Sequence, residues 1–141
     1  MNFLFKQQRK ILVLASILNL IGSLMAIISP PFFFFQFFKY KPDLVSTFPY
    51  LAMYHYLFWG VGLIMGIAYW MAAVDPVKNK IVLFIGALGK LLAAVFLLML
   101  FMQGEGKWLM LAGVISDGIL GLVMLYLYFG KNRETVQDPK T

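Results

Sequence analysis

Residues Ile81 to Leu100 read IVLFIGALGKLLAAVFLLML, twenty positions of which only Lys90 is charged. A run of this length predicts a helix that crosses a membrane. About 20 residues at ~1.5 Å of rise each cover a hydrocarbon layer ~30 Å thick. Lys90 stands ten residues from Lys80, where the run begins, so its Cα is expected near the midplane. A cation at that depth costs roughly 3 kcal/mol on insertion scales and calls for a partner. Asp117, nine residues in from Trp108 in the next apolar run, is the expected partner.

Downstream of this run, Gln103-Gly104-Glu105-Gly106-Lys107 forms a polar hairpin. Because the hairpin is short, the spans over 80–102 and 108–129 are expected to be antiparallel neighbours, with Lys90 and Asp117 at one level. Residues 130–141 follow as a polar tail without predicted structure. Upstream, Asp75-Pro76-Val77-Lys78-Asn79-Lys80 is a tight turn, preceded by a span over 50–74 that is entered through Tyr50, Tyr54, Tyr56 and Trp59. Such amphipathic rings favour the membrane–water boundary.

Lys6, Arg9 and Lys10 precede a further apolar run over 10–29. It exceeds the apolar core of a secretory signal and is read as an uncleaved first span. Asn19 sits near its middle, with Ala15, Ser16, Gly22 and Ser23 at helical spacings on one small, mildly polar face. Pro30-Pro31 should stop this helix, since neither ring nitrogen can donate to the helical ladder. Phe32 to Phe38 then place six phenylalanines around Gln36. Residues 30–49 are read as an interfacial loop of the outer leaflet. The rival readings are a short half-helix folded over the bundle mouth and a docking surface for another subunit.

The fold class is therefore all-α, a four-transmembrane-helix bundle forming a single membrane domain over residues 1–141. Composition agrees: the 141 residues are 62% hydrophobic and 13% charged, with a mean hydropathy of +0.83, which excludes an ordinary soluble domain. Of twelve basic residues, eight lie at the ends that share a side with the termini, three on the opposite side, and Lys90 between. That bias predicts both termini in the cytoplasm. The net charge of +6 does not point to nucleic acid, because the bases flank apolar runs instead of clustering on a soluble module. With no cysteine, a disulfide framework, thiol chemistry and thiolate metal sites are excluded.

Lys90 has Gly86 four residues before it and Ala93 and Ala94 just after, while Asp117 has Gly113 and Gly121 at minus four and plus four. Both charges thus sit on faces cleared of bulk, where helix backbones approach closely. Asn19 and Tyr69 are candidate hydrogen-bond partners for the pair. In the second span His55, Trp59, Gly62, Gly66, Tyr69 and Ala73 share a stripe, within which Gly62 and Gly66 form a GxxxG packing face. His55, Trp59 and Tyr69 are candidates for a mouth that holds a flat apolar ligand such as a quinone or lipid. A lone histidine cannot make a bis-imidazole haem site, and no metal-ligand cluster, nucleophile–base pattern or catalytic residue stands out.

The series Ile67-Ala68-Tyr69-Trp70-Met71-Ala72-Ala73, Asp75-Pro76-Val77-Lys78-Asn79, Gly86-Ala87-Leu88-Gly89-Lys90 and Asp117-Gly118 resembles small bacterial four-helix membrane proteins, loosely similar to the DoxX-like group. It covers roughly the C-terminal half of the chain. The resemblance implies a four-helix bundle, and some members of that group accompany quinone-linked or thiol-oxidising systems. The expected role is a non-catalytic accessory or structural subunit of a larger assembly in a bacterial inner membrane, in contact with lipid and with other subunits or further copies of itself. The alternatives are a carrier or binding protein for an apolar molecule and a proton-coupled carrier that uses Lys90 and Asp117.

Overall fold

A computed structural model describes residues 7–39 and 49–137; the side chains of residues 49, 51 and 131–137 are outside the description, as are Lys6, Lys41 and Lys140 altogether. Five helices account for nearly all of it: α1 (Gln8–Ile28), α2 (Pro30–Phe37), α3 (Pro49–Val74), α4 (Lys80–Met102) and α5 (Trp108–Gln137). Four of these contain segments long and apolar enough to cross a membrane: 8–28, 52–74, 80–102 and 108–130. The described residues contain no strand, only an isolated bridge between Phe38 and Gly106.

The helix boundaries follow from local chemistry. α1 stops at Ile28, and Pro30 and Pro31 open α2, where a missing N–H costs nothing because the first turn has no intrahelical acceptor. α3 ends in a side-chain-stabilised turn. Asp75 Oδ1 accepts from the backbone N–H groups of Val77 and Lys78 at 3.2 and 3.0 Å. Asn79 Nδ2 donates to the carbonyls of Met71 and Asp75, using the second lone pair of two oxygens that already accept the backbone N–H groups of Asp75 and Asn79. α4 closes in a Schellman motif: Gly104 N–H reaches Phe101 O at 3.0 Å, and Glu105 N–H reaches Leu100 O at 3.1 Å. Gly104 makes this turn with φ +80, a conformation that a Cβ would strain.

Two antiparallel pairs form the bundle, α1 with α3 and α4 with α5. On the first pair, Ser16 meets Gly66, Asn19 meets Gly62, and Ala26 meets His55, so the numbers fall on α3 as they rise on α1. The pairs join where Tyr69 of α3 packs on Gly86 of α4, and where Asn19 of α1 reaches Lys90 of α4. A buried core of Leu12, Ala15, Tyr69, Ala72, Ala73, Leu83, Ala87, Leu120, Met124 and Leu127 lies toward the end where α1 starts, hereafter the terminal end. Large apolar side chains, among them Ile21, Ile64, Leu92 and Leu122, point outward on all four long helices. A bundle that turns its aliphatic residues out and its alanines, glycines and polar groups in suits a lipid surround.

Two segments differ from the sequence reading. The stretch after Ser29, read as an interfacial loop, begins as helix α2, which crosses the other, hairpin end of the bundle. Lys39 N–H donates to Glu105 O at 3.0 Å and Lys107 N–H to Phe37 O at 2.9 Å, tying α2 to the α4–α5 turn. Lys107 Nζ adds a bond to Phe35 O and lies 3.9 Å from the Phe35 ring centroid. A helix forms here because backbone groups next to apolar surroundings need internal partners, which a loop would not supply. α5 likewise continues to Gln137, well past Phe129, so that part of the polar tail is helical. Its polar residues Lys131 to Gln137 interrupt the apolar pattern, but they hold no proline to break the ladder.

Candidate functional site

The centre of the bundle holds a chain of four residues, one from each long helix. Lys90 Nζ on α4 donates to Asp117 Oδ1 on α5 at 2.6 Å and to Asn19 Oδ1 on α1 at 3.0 Å. Asn19 then turns its Nδ2 to the carbonyl oxygen of Gly62 on α3, at 3.4 Å. Each of the four lies within two residues of the middle of its apolar segment, taken as residues 18, 63, 91 and 119. The Lys90 side chain is 8% exposed and that of Asp117 25%. The lysine is therefore the enclosed member, and the carboxylate looks partly outward.

Small residues make this approach possible. Gly86 stands one turn before Lys90, and a Cβ there would run into the Tyr69 ring. At Gly121, one turn after Asp117, a Cβ would sit 2.8 Å from Leu91 and 3.2 Å from the Ala87 carbonyl oxygen. Gly113 faces Leu97 at 3.3 Å. On the α1–α3 side, a Cβ at Gly66 would come within 2.8 Å of Leu20, and one at Gly62 would strike Ser23 Oγ. All five glycines of the expected packing faces thus lie against a neighbouring helix, whereas Gly22, Gly60 and Gly89 have open space where a Cβ would be.

The expected ligand mouth does not assemble from its three residues. His55 and Tyr69 are fourteen positions apart on one helix, which at ~1.5 Å per residue separates them by about 21 Å. Tyr69 is 1% exposed and packs on Gly86 within the core, and no hydrogen bond joins it to Lys90 or Asp117. His55 and Trp59 belong instead to an aromatic cluster under α2. Phe33 stacks on Phe37 with centroids 4.6 Å apart and meets Trp59 edge-on at 4.7 Å, and Phe34 lies 5.1 Å from His55. The mouth is closed because α2 lays its inner phenylalanines over it.

His55 has a definite task in that cluster. Its Nε2 lies 2.8 Å from Ala26 O, and since a carbonyl only accepts, Nε2 carries the hydrogen. In an unbroken helix Ala26 O would receive the N–H of residue 30, but residue 30 is proline. The imidazole supplies the donor that the proline lacks. The orphaned carbonyl could have been read from the sequence, as proline four residues ahead; its partner, twenty-nine residues away, could not. Of the serines on the mildly polar face of α1, Ser16 Oγ donates to Gly66 O at 2.7 Å, a partner that the sequence did not indicate, while Ser23 Oγ is buried without a partner among the described residues.

Among the described residues, His, Asp and Glu side chains nowhere gather in threes close enough to hold a metal ion. Fold and site together define an all-α bundle with four helices of membrane-spanning length, consistent with a small membrane protein, and with a polar chain across its middle. Comparison with protein-family models, with curated proteins and with solved structures finds no match for this chain.

Proposed function

We propose that this chain is a non-catalytic multi-pass protein of a bacterial inner membrane, with both termini cytoplasmic, serving as a structural or accessory subunit of a larger membrane assembly. The observation that carries the reading is the chain Asp117–Lys90–Asn19–Gly62. Its two charges are directed at one another, and the neutral Asn19 amide links Lys90 to the backbone of the remaining helix, an arrangement suited to holding four helices in one register. A reactive centre would instead keep a nucleophile, acid or base turned toward a substrate. The accumulation of basic residues at the terminal end supports the orientation, and the outward aliphatic faces leave the flanks of the bundle for lipid or for neighbouring subunits.

Native mass spectrometry of the protein, extracted gently from its own membrane, tests this role. Companion chains of other masses are the expected result. A 16.1 kDa chain that appears only alone or as simple multiples of itself would contradict the accessory role. The outward quarter of Asp117 favours a second reading, a binding protein for an apolar molecule with the polar chain as the floor of its site. That reading requires stabilisation by an added quinone or lipid that disappears in the Lys90→Met/Asp117→Asn double variant.

A further inference from the structure

A second polar feature lies outside the central chain, on the first turns of α1. Arg9 and Lys10 are exposed, and neither forms a hydrogen bond or ion pair with another described residue. Along the same side of the helix Val13, Leu14 and Ile17 form with them a shallow, open groove on the surface of α1, its lining almost wholly apolar. Positions 9 and 10, 13 and 14, and 17 recur at the spacing of one helical stripe, so two cations stand directly above three aliphatic side chains.

The two halves of this groove ask for different chemistry. A soluble anion would engage only the guanidinium and ammonium groups, and a hydrocarbon only the aliphatic floor. A second copy of the chain is a poor match, because it carries twelve basic residues against six acidic ones and would meet like charge. A phospholipid with an anionic headgroup satisfies both halves at once. Arg9 can grip a phosphate through two N–H groups and Lys10 adds a point charge, at the depth where headgroups lie if α1 crosses the bilayer.

We infer that this groove binds one anionic phospholipid, its phosphate held by Arg9 and Lys10 and an acyl chain lying along Val13, Leu14 and Ile17. The inference rests on the reading that the four apolar helices cross a membrane. It makes the terminal end a site of lipid selection, where the rest of the apolar surface has only general contact with lipid.

The test uses the full chain reconstituted in phosphatidylcholine vesicles containing a minor share of phosphatidylglycerol, then released and weighed intact with its retained lipids. Wild type should carry phosphatidylglycerol out of proportion to its share. Each of Arg9→Gln and Lys10→Gln should lower that enrichment about fivefold, the effect of one basic residue at a membrane surface. Lys78→Gln, at an exposed turn of the same end, should leave it unchanged. Leu14→Trp should lower it with the charge intact, by filling the floor, and circular dichroism identifies variants that keep their helices. Equal enrichment in wild type and in the Arg9→Gln/Lys10→Gln variant overturns the site, and so does full enrichment in Leu14→Trp. A chain that does not enter the vesicles at all overturns the membrane reading beneath it.

Discussion

The α1–α3 and α4–α5 seams are both antiparallel and both glycine-lined, yet they are fastened by different means. Along α1–α3, three neutral side chains, Ser16, Asn19 and His55, each donate to a backbone carbonyl of the facing helix. Helical carbonyls have a second lone pair, so such bonds add to the ladder without breaking it. A hydroxyl or amide displaced by one turn would find another carbonyl, so these bonds cement the seam but specify its register weakly. Along α4–α5 the fastening at mid-depth is a charged contact, Lys90 with Asp117. One charge pair fixes rotation and register together. Lys90 also holds Asn19, and so carries that register across to the first pair.

The largest expected effect comes from leaving one charge alone. Lys90→Met strands the Asp117 carboxylate, and Asp117→Asn strands the ammonium group. Each should cost roughly 3 kcal/mol, toward the lower end for a broken buried pair because Asp117 is partly exposed. Thermal unfolding in a mild detergent reads both losses. Next come the close approaches. Gly86→Leu and Gly121→Leu force bulk against Tyr69 and Leu91 and should cost about 1–3 kcal/mol each. Gly89→Leu, in open space on the same helix as Gly86, should cost nothing by the same measurement.

His55→Ala should cost about 1 kcal/mol, because Ala26 O loses its only donor beyond the proline. Its effect should be local. Hydrogen exchange at the amides of Lys39 and Lys107, which bond α2 to the α4–α5 turn, should quicken while α4 stays protected. Ser16→Ala should have the smallest effect, about 0.6 kcal/mol, the mean for a side-chain hydrogen bond between membrane helices. If Ser16→Ala cost as much as Lys90→Met, the distinction between the two seams would be lost.

Much of this architecture could be read from the sequence, because apolar length and depth are one-dimensional properties. The four spans, the 75–80 turn and the level shared by Lys90 and Asp117 follow from counting residues between polar boundaries. The small residues at helical spacing from each charge likewise marked which faces could touch. What counting does not provide is the third dimension of a short apolar segment. Phe32 to Phe38 suits a headgroup layer or a helix lid equally well by composition. Only the partners Gly106, Lys107, His55 and Trp59, supplied by the α4–α5 turn and by α3, make it the lid. Tyr69 illustrates the converse: it lies on the stripe of His55 and Trp59, but a stripe runs the length of a helix and joins residues at opposite depths.

The central claim is that Lys90 and Asp117 serve to hold the helices in register, and a double-mutant cycle tests it most directly. Wild type, Lys90→Met, Asp117→Asn and the double variant would be compared by reversible unfolding in one detergent. The account predicts that the double variant is more stable than either single variant, since removing both charges leaves none stranded. Losses that simply add, with the double variant the least stable of the four, would show that the two residues act apart and would contradict it.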